Sequence, residues 1–113
     1  LTDEKWLLFI LEQIISNAVK YTPSGIITIR VTEDEKLSVE DTGIGIAPED
    51  LPRIFEKGFT GYNGRNDKKA TGLGLNLCRK AAEHLNVGIA VESKPGVGSC
   101  FTLDLKERQF NIE

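Results

Sequence analysis

From Asp3 to Tyr21 the chain reads DEKWLLFILEQIISNAVKY, a run without glycine or proline that ends against TPSG. Such a run predicts one long helix, capped at its start by Thr2 or Asp3 and stopped by the turn residues behind it. At helical spacing Leu7, Leu8, Leu11, Ile14, Ile15 and Ala18 share a broad apolar face, and Lys5, Glu12 and Ser16 mark a narrow solvent edge. A helix with this much apolar surface needs a second layer to cover it. The remaining stripe is mixed. Trp6, Phe9 and Ile10 begin it, and Gln13, Asn17, Lys20 and Tyr21 finish it at i, i+4, i+7 and i+8, so those four point one way.

The second layer is legible further on. IITIRVT (26–32) and KLSVED (36–41) alternate in polarity around EDE, which predicts a β-hairpin. APEDLPRIFEKGF predicts a short helix with Pro48 and the acids in its first turn. GYNGRNDKK (61–69) is polar, basic and glycine-containing and reads as a loop. GLGLNLCRKAAEHLN is a second long helix, with Leu75, Cys78, Ala82 and Leu85 on one face. GIAVES and SCFTLDLK, joined by KPGVG, make another hairpin. The expected class is α+β: a two-layer α/β sandwich in which a mixed sheet is covered on one face by helices. Residues 1–113 suffice for one domain, and the abrupt start reads as a domain of a longer protein.

A net charge of −3 argues against general affinity for nucleic acid or anionic membrane. No apolar run approaches the length of a membrane span. Cys78 and Cys100 lie far apart in apolar patterns, without metal-ligand spacing, and read as two buried, reduced thiols rather than a disulfide.

Three segments offer chemistry. In the first helix, Asn17 carries a carboxamide oxygen suited to Mg²⁺, Lys20 one turn on can neutralise phosphate, and Tyr21 can stack on a base. The same stripe also reads as a solvated helix end. In DTGIGI, Asp41 stands at a strand end as a pure acceptor, fit for the exocyclic amine of adenine, and Gly43 and Gly45 leave bare backbone for a flat base. A plain turn after a strand has the same look. In ATGLGL, Gly72 and Gly74 expose amides where a helix starts, which favours an anion. Tight packing also calls for glycine there. Arg65, Lys68 and Lys69 just upstream can fold over phosphates as a lid, or simply face solvent.

Taken in order, ISNAVKYT, DTGIGI, IFEKGF, TGLGL and GVGSCF resemble the N box, first glycine box, F box, second glycine box and third glycine box of bacterial sensor histidine kinases. That group belongs to the Bergerat-fold ATPases. The resemblance covers nearly the whole chain and implies an ATP- and Mg²⁺-binding catalytic domain. It implies that Asp41 holds adenine, with Gly43, Gly45 and Ile46 beside it. Asn17 would be the metal ligand. Lys20, Tyr21, Arg65, Thr71, Gly72, Leu73, Gly74 and Leu75 would line the nucleotide, Phe55 and Phe59 would pack at the base of the lid, and Thr102 would reach adenine through water.

Hydrolysing relatives carry a glutamate four residues before the asparagine; here that place is Gln13, which cannot serve as a general base, so phosphoryl transfer is expected. Ala70 stands where the family often has glycine, which stiffens the lid hinge. The sole histidine, His84, lacks the family's acceptor context and is expected as a surface helix residue. The resemblance implies a phosphoacceptor histidine on a separate dimerisation domain, a downstream response regulator, and a cytoplasmic domain of a bacterial inner-membrane protein. It also implies strands before the first helix, so an edge of the sheet is expected to be open for pairing. GFTGYNGR with KATGLGL is similar to the subgroup sensing bacitracin and other antimicrobial peptides, which works with ABC transporters. The alternatives are an ATP hydrolase of the same fold, a non-catalytic nucleotide-binding relay, and a serine kinase of the anti-sigma type.

Overall fold

The uninterrupted opening run forms helix α1, Asp3–Lys20, with Asp3 and Glu4 in its first turn and Lys20 in its last, signs that suit the helix dipole. The computed structural model describes residues 3–56 and 74–105. Strands β1 (Ile27–Val31) and β2 (Lys36–Asp41) form the first hairpin. Helix α2 (Gly74–Leu85) leads into the second hairpin, β3 (Gly88–Lys94) and β4 (Gly98–Asp104).

The sheet order is β1-β2-β4-β3, and each neighbouring pair is antiparallel. This corrects the expected mixed sheet: among the described residues no strand pair is parallel. Both hairpins are antiparallel by construction, and they meet through β2 and β4, which also run in opposite directions. Among the described residues β1 is an edge strand, with Ile29 and Val31 exposed.

The cross-strand register sorts one face into rows. Ile29, Val39, Phe101 and Val91 stand side by side, and so do Val31, Leu37, Leu103 and Ile89. Those rows meet Ile10, Ile14 and Ala18 of α1 and Cys78, Ala81, Ala82 and Leu85 of α2 in a single core. Each large side chain buried there contributes about 1.5–3 kcal/mol. The opposite face carries Arg30, Ser38, Glu40, Thr102 and Glu92 and is polar.

Two sequence expectations about α1 are corrected. Ile10, assigned to the mixed stripe, is fully buried, and Leu8, assigned to the apolar face, is 57% exposed. Leu8 lies on the same helix edge as Glu12, one turn away, and that edge faces water.

The short helix expected after Ala47 is only a 3-10 turn, Leu51–Arg53, framed by tight bonds such as Asp50 N–H to the Ala47 carbonyl and Arg53 N–H to the Asp50 carbonyl. An α-helix begun at Pro48 would need an N–H on Pro52, which has none, and the ring would strike the carbonyl of Pro48. Both cysteines are free, as expected, but only Cys78 is buried; Cys100 is half-buried on the polar face. His84 is exposed, with its ring 6.0 Å from that of Trp6. Among the described residues no helix is long and apolar enough to cross a membrane.

Candidate nucleotide site

Where β2 ends, the row of apolar residues gives way to Asp41, Ser99 and Ser93, paired in the same register and on the same face. Asp41 is 6% exposed. Its Oδ1 accepts the Gly43 N–H at 2.9 Å and the Ser99 N–H at 3.3 Å. No hydrogen bond to its Oδ2 is formed among the described residues. Asp41 is therefore held rigidly by one oxygen, with the other left to accept.

The turn after Asp41 is clamped from two sides. On one side Ile44 N–H donates to the Tyr21 carbonyl at 3.1 Å, and Tyr21 N–H donates to the Asn17 carbonyl, also at 3.1 Å. On the other, Gly96 N–H donates to the Ile44 carbonyl at 2.8 Å and Ile46 N–H to Ser93 Oγ at 2.7 Å. The C-terminal end of α1 thus seats directly against the first glycine turn, so Asp41 and Asn17 belong to one side of the molecule.

The glycines of this turn serve a steric purpose. A Cβ on Gly43 would fall on the Tyr21 carbonyl oxygen and the Thr22 hydroxyl. A Cβ on Gly45, whose φ is +76°, would fall on the Lys94 carbonyl. The missing side chains make room for the chain itself.

Along α1 the polar stripe runs between the start of α2 and the first glycine turn. A Cβ on Gly74, at the start of α2, would stand 2.6 Å from Gln13 Oε1. Tyr21 touches the first turn two helical turns away, about 12 Å along the axis. Asn17 lies between them, half-buried, and its carboxamide forms no hydrogen bond among the described residues. The Lys20 ammonium stands 5.2 Å from the centre of the Tyr21 ring. Nothing in this arrangement supplies a cluster of three His, Cys, Asp or Glu side chains among the described residues. A cation here would draw on Asn17 and on the oxygens of its ligand, the manner in which Mg²⁺ is commonly held.

Three further expected residues lie at the rim of the core. Ile46, Phe55 and Leu75 pack against the apolar cluster. The Phe55 ring meets Phe101 edge-on at 6.5 Å, the Arg79 guanidinium lies 5.3 Å from its centre, and its carbonyl accepts from Asn76 Nδ2 at 3.1 Å. Arg65, Thr71, Gly72 and Leu73, along with Phe59, Lys68, Lys69 and Ala70, lie outside the described residues.

Thr102 is a correction. It pairs with Ser38 and Ala90 on the polar face, opposite to the face that carries Asp41. Ser99 rather than Thr102 stands across from Asp41 and donates its backbone N–H to it. Strand parity could have found this, because Ser99 shares its face with the core residue Phe101 and Thr102 does not. Ser93 was also missed. Its hydroxyl contacts Ile46 N–H, the Gly98 carbonyl and Ser99 Oγ together.

The family model described as histidine kinase-, DNA gyrase B- and HSP90-like ATPase matches residues 2–109. The chain is 48% identical over 106 residues to the sensor protein BceS of Bacillus subtilis strain 168, covering 91% of this chain and 32% of that one. It is 40% identical over 105 residues to the sensor histidine kinase GraS of Staphylococcus haemolyticus, covering 90% and 30%. The chain therefore spans about a third of the length of these relatives. Among solved structures, the catalytic domain of histidine kinase ThkA, in a nucleotide-free form, superposes with a TM-score of 0.73 at 28% identity, over 90% of this chain and 67% of that one. Full-length ShkA in complex with AMPPNP gives 0.71 at 27% identity, over 94% and 22%.

Proposed function

The chain belongs to the family of histidine kinase-, DNA gyrase B- and HSP90-like ATPases, and from that premise we propose that it binds ATP with Mg²⁺ and donates the γ-phosphoryl group to a histidine of a separate dimerisation domain. The observation that carries this reading is Asp41, a nearly buried carboxylate with one oxygen bound to two amides and the other without a hydrogen bond among the described residues. A hydrogen bond to a charged acceptor contributes about 1.5–3 kcal/mol. A purine 6-amino group would supply it.

In this reading Asn17 is the metal ligand, and Lys20 and the amides at the start of α2 face the phosphates. Mg²⁺, when bound, neutralises and bridges phosphate oxygens. Gln13 lies against Gly74 without a basic group to activate water, so the protein's work is positioning and charge neutralisation. Arg65, Thr71, Gly72 and Leu73 would complete the phosphate side. The similarity to the sensor protein BceS and the sensor histidine kinase GraS supports a sensor kinase as the parent; in this reading that parent is membrane-anchored, belongs to the antimicrobial-peptide-sensing subgroup, and works with a response regulator downstream and an ABC transporter alongside.

The test is to mix the chain with labelled ATP, Mg²⁺ and a dimerisation domain bearing the acceptor histidine. Acid-labile phosphohistidine on that domain is the expected product, with little free phosphate from the chain alone. Rapid, steady phosphate release without the acceptor would replace this reading with hydrolysis.

A further inference from the structure

The hydroxyl of Ser93 has three contacts and one proton. Ile46 N–H donates to it at 2.7 Å. It donates to the Gly98 carbonyl at 2.9 Å, since a carbonyl cannot donate. Its third contact, with Ser99 Oγ at 2.8 Å, admits either direction by geometry alone. Proton counting removes the choice. With the Ser93 proton committed to Gly98, the Ser99 hydroxyl must donate to Ser93 for all three contacts to be hydrogen bonds. The Ser99 oxygen is then left with lone pairs only.

Ser99 is paired in directly opposed register, on the same face, with Asp41, which is also acceptor-only when ionised. Two neighbouring acceptors select a ligand edge that brings donors. We propose that Ser93 is a specificity-determining positioning residue: by taking the Ser99 proton it turns the Asp41–Ser99 end of the sheet into an acceptor pair that favours 6-amino over 6-oxo purine nucleotides. Ser93 itself touches no ligand in this scheme. It acts through Ser99, and through the Ile46 N–H it ties the first glycine turn to β3. The inference rests on the nucleotide reading above and adds what sets the discrimination at the base.

The test compares ADP with inosine diphosphate by calorimetry, in Mg²⁺, on the whole chain. The original protein should prefer ADP. Ser93→Ala frees the Ser99 proton to point at the ligand and donate to a 6-oxo group, so the ADP-to-IDP affinity ratio should fall roughly tenfold, the worth of about one hydrogen bond. Ser93→Thr keeps the hydroxyl and should restore the ratio. Ser99→Ala leaves Ser93 bound to Ile46 and Gly98 and should lower the ratio as well, which keeps the proposal testable if Ser93→Ala does not fold. A merely structural Ser93 would lower the melting temperature and both affinities together, leaving the ratio unchanged in Ser93→Ala; that result, or an unchanged ratio in Ser99→Ala, overturns the proposal while the nucleotide reading stands. Failure of the original protein to bind either nucleotide would overturn both.

Discussion

Val39, Phe101 and Val91 form one row of the sheet face beneath the helices; Asp41, Ser99 and Ser93 form the next, one pleat repeat or about 7 Å along the strands. The same three strands, in the same register, present an apolar row and a polar one. The apolar row meets α1, α2 and Phe55 and is sealed. The polar row is nearly as buried at Asp41 and Ser99, yet it is held by hydrogen bonds and leaves acceptors over. Burial therefore does not distinguish the structural row from the proposed ligand-facing one. Whether a buried group's bonding capacity is filled by the chain does.

Substitutions in the two rows should separate stability from binding. Phe101→Ala should give the largest effect, a loss of about 3–5 kcal/mol of folding stability from an unfilled cavity, measured by urea denaturation; a loss under 1 kcal/mol would mean the row is not sealed. Asp41→Asn keeps an oxygen for the two backbone amides but removes the charge. It should weaken ADP binding by about 1.5–3 kcal/mol in calorimetry while the urea midpoint changes much less. An equal fall in both would erase the distinction between the rows.

The apolar side can also be read through pH. Burial pushes the Cys78 thiol up from 9.0 to about 12. A group whose folded pKa is raised contributes stability that is complete below its unfolded pKa and disappears as pH climbs to the folded one. Between pH 9 and 12 this thiol should therefore lower stability progressively as pH rises, and Cys78→Ala should flatten that slope in stability measured against pH. Leu8→Gln should give the smallest effect, within about 0.5 kcal/mol in the same denaturation assay, because Leu8 is on the solvent edge of α1. A larger loss would place Leu8 in contact with apolar surface after all.

Among the described residues, periodicity finds both long helices and the four strands, because helical and strand spacings are local properties of the sequence. The motif order points to Asp41 and to the α1 stripe, whose Tyr21 carbonyl accepts from the turn after Asp41. The misses share a cause. Leu8 and Ile10 were exchanged because an amphipathic helix has an ill-defined boundary until its partner is in place. Thr102 points away from Asp41 because strand parity is fixed only once a core residue, Phe101, is known. The close approach of Tyr21 to Gly43 and of Lys94 to Gly45 is invisible in the sequence because these neighbours in space are remote along the chain.

The sequence by itself determined which segments coil or extend, which of their faces are apolar, and which side chains carry a carboxylate, an amide or an ammonium. These follow from backbone sterics and side-chain chemistry within a few residues. Only the tertiary structure decided the order β1-β2-β4-β3, and with it the meeting of Asp41 with Ser99, 58 positions away. Pairing of distant strands is settled by which arrangement buries the apolar rows and satisfies the backbone at once, and that balance is a property of the whole folded chain.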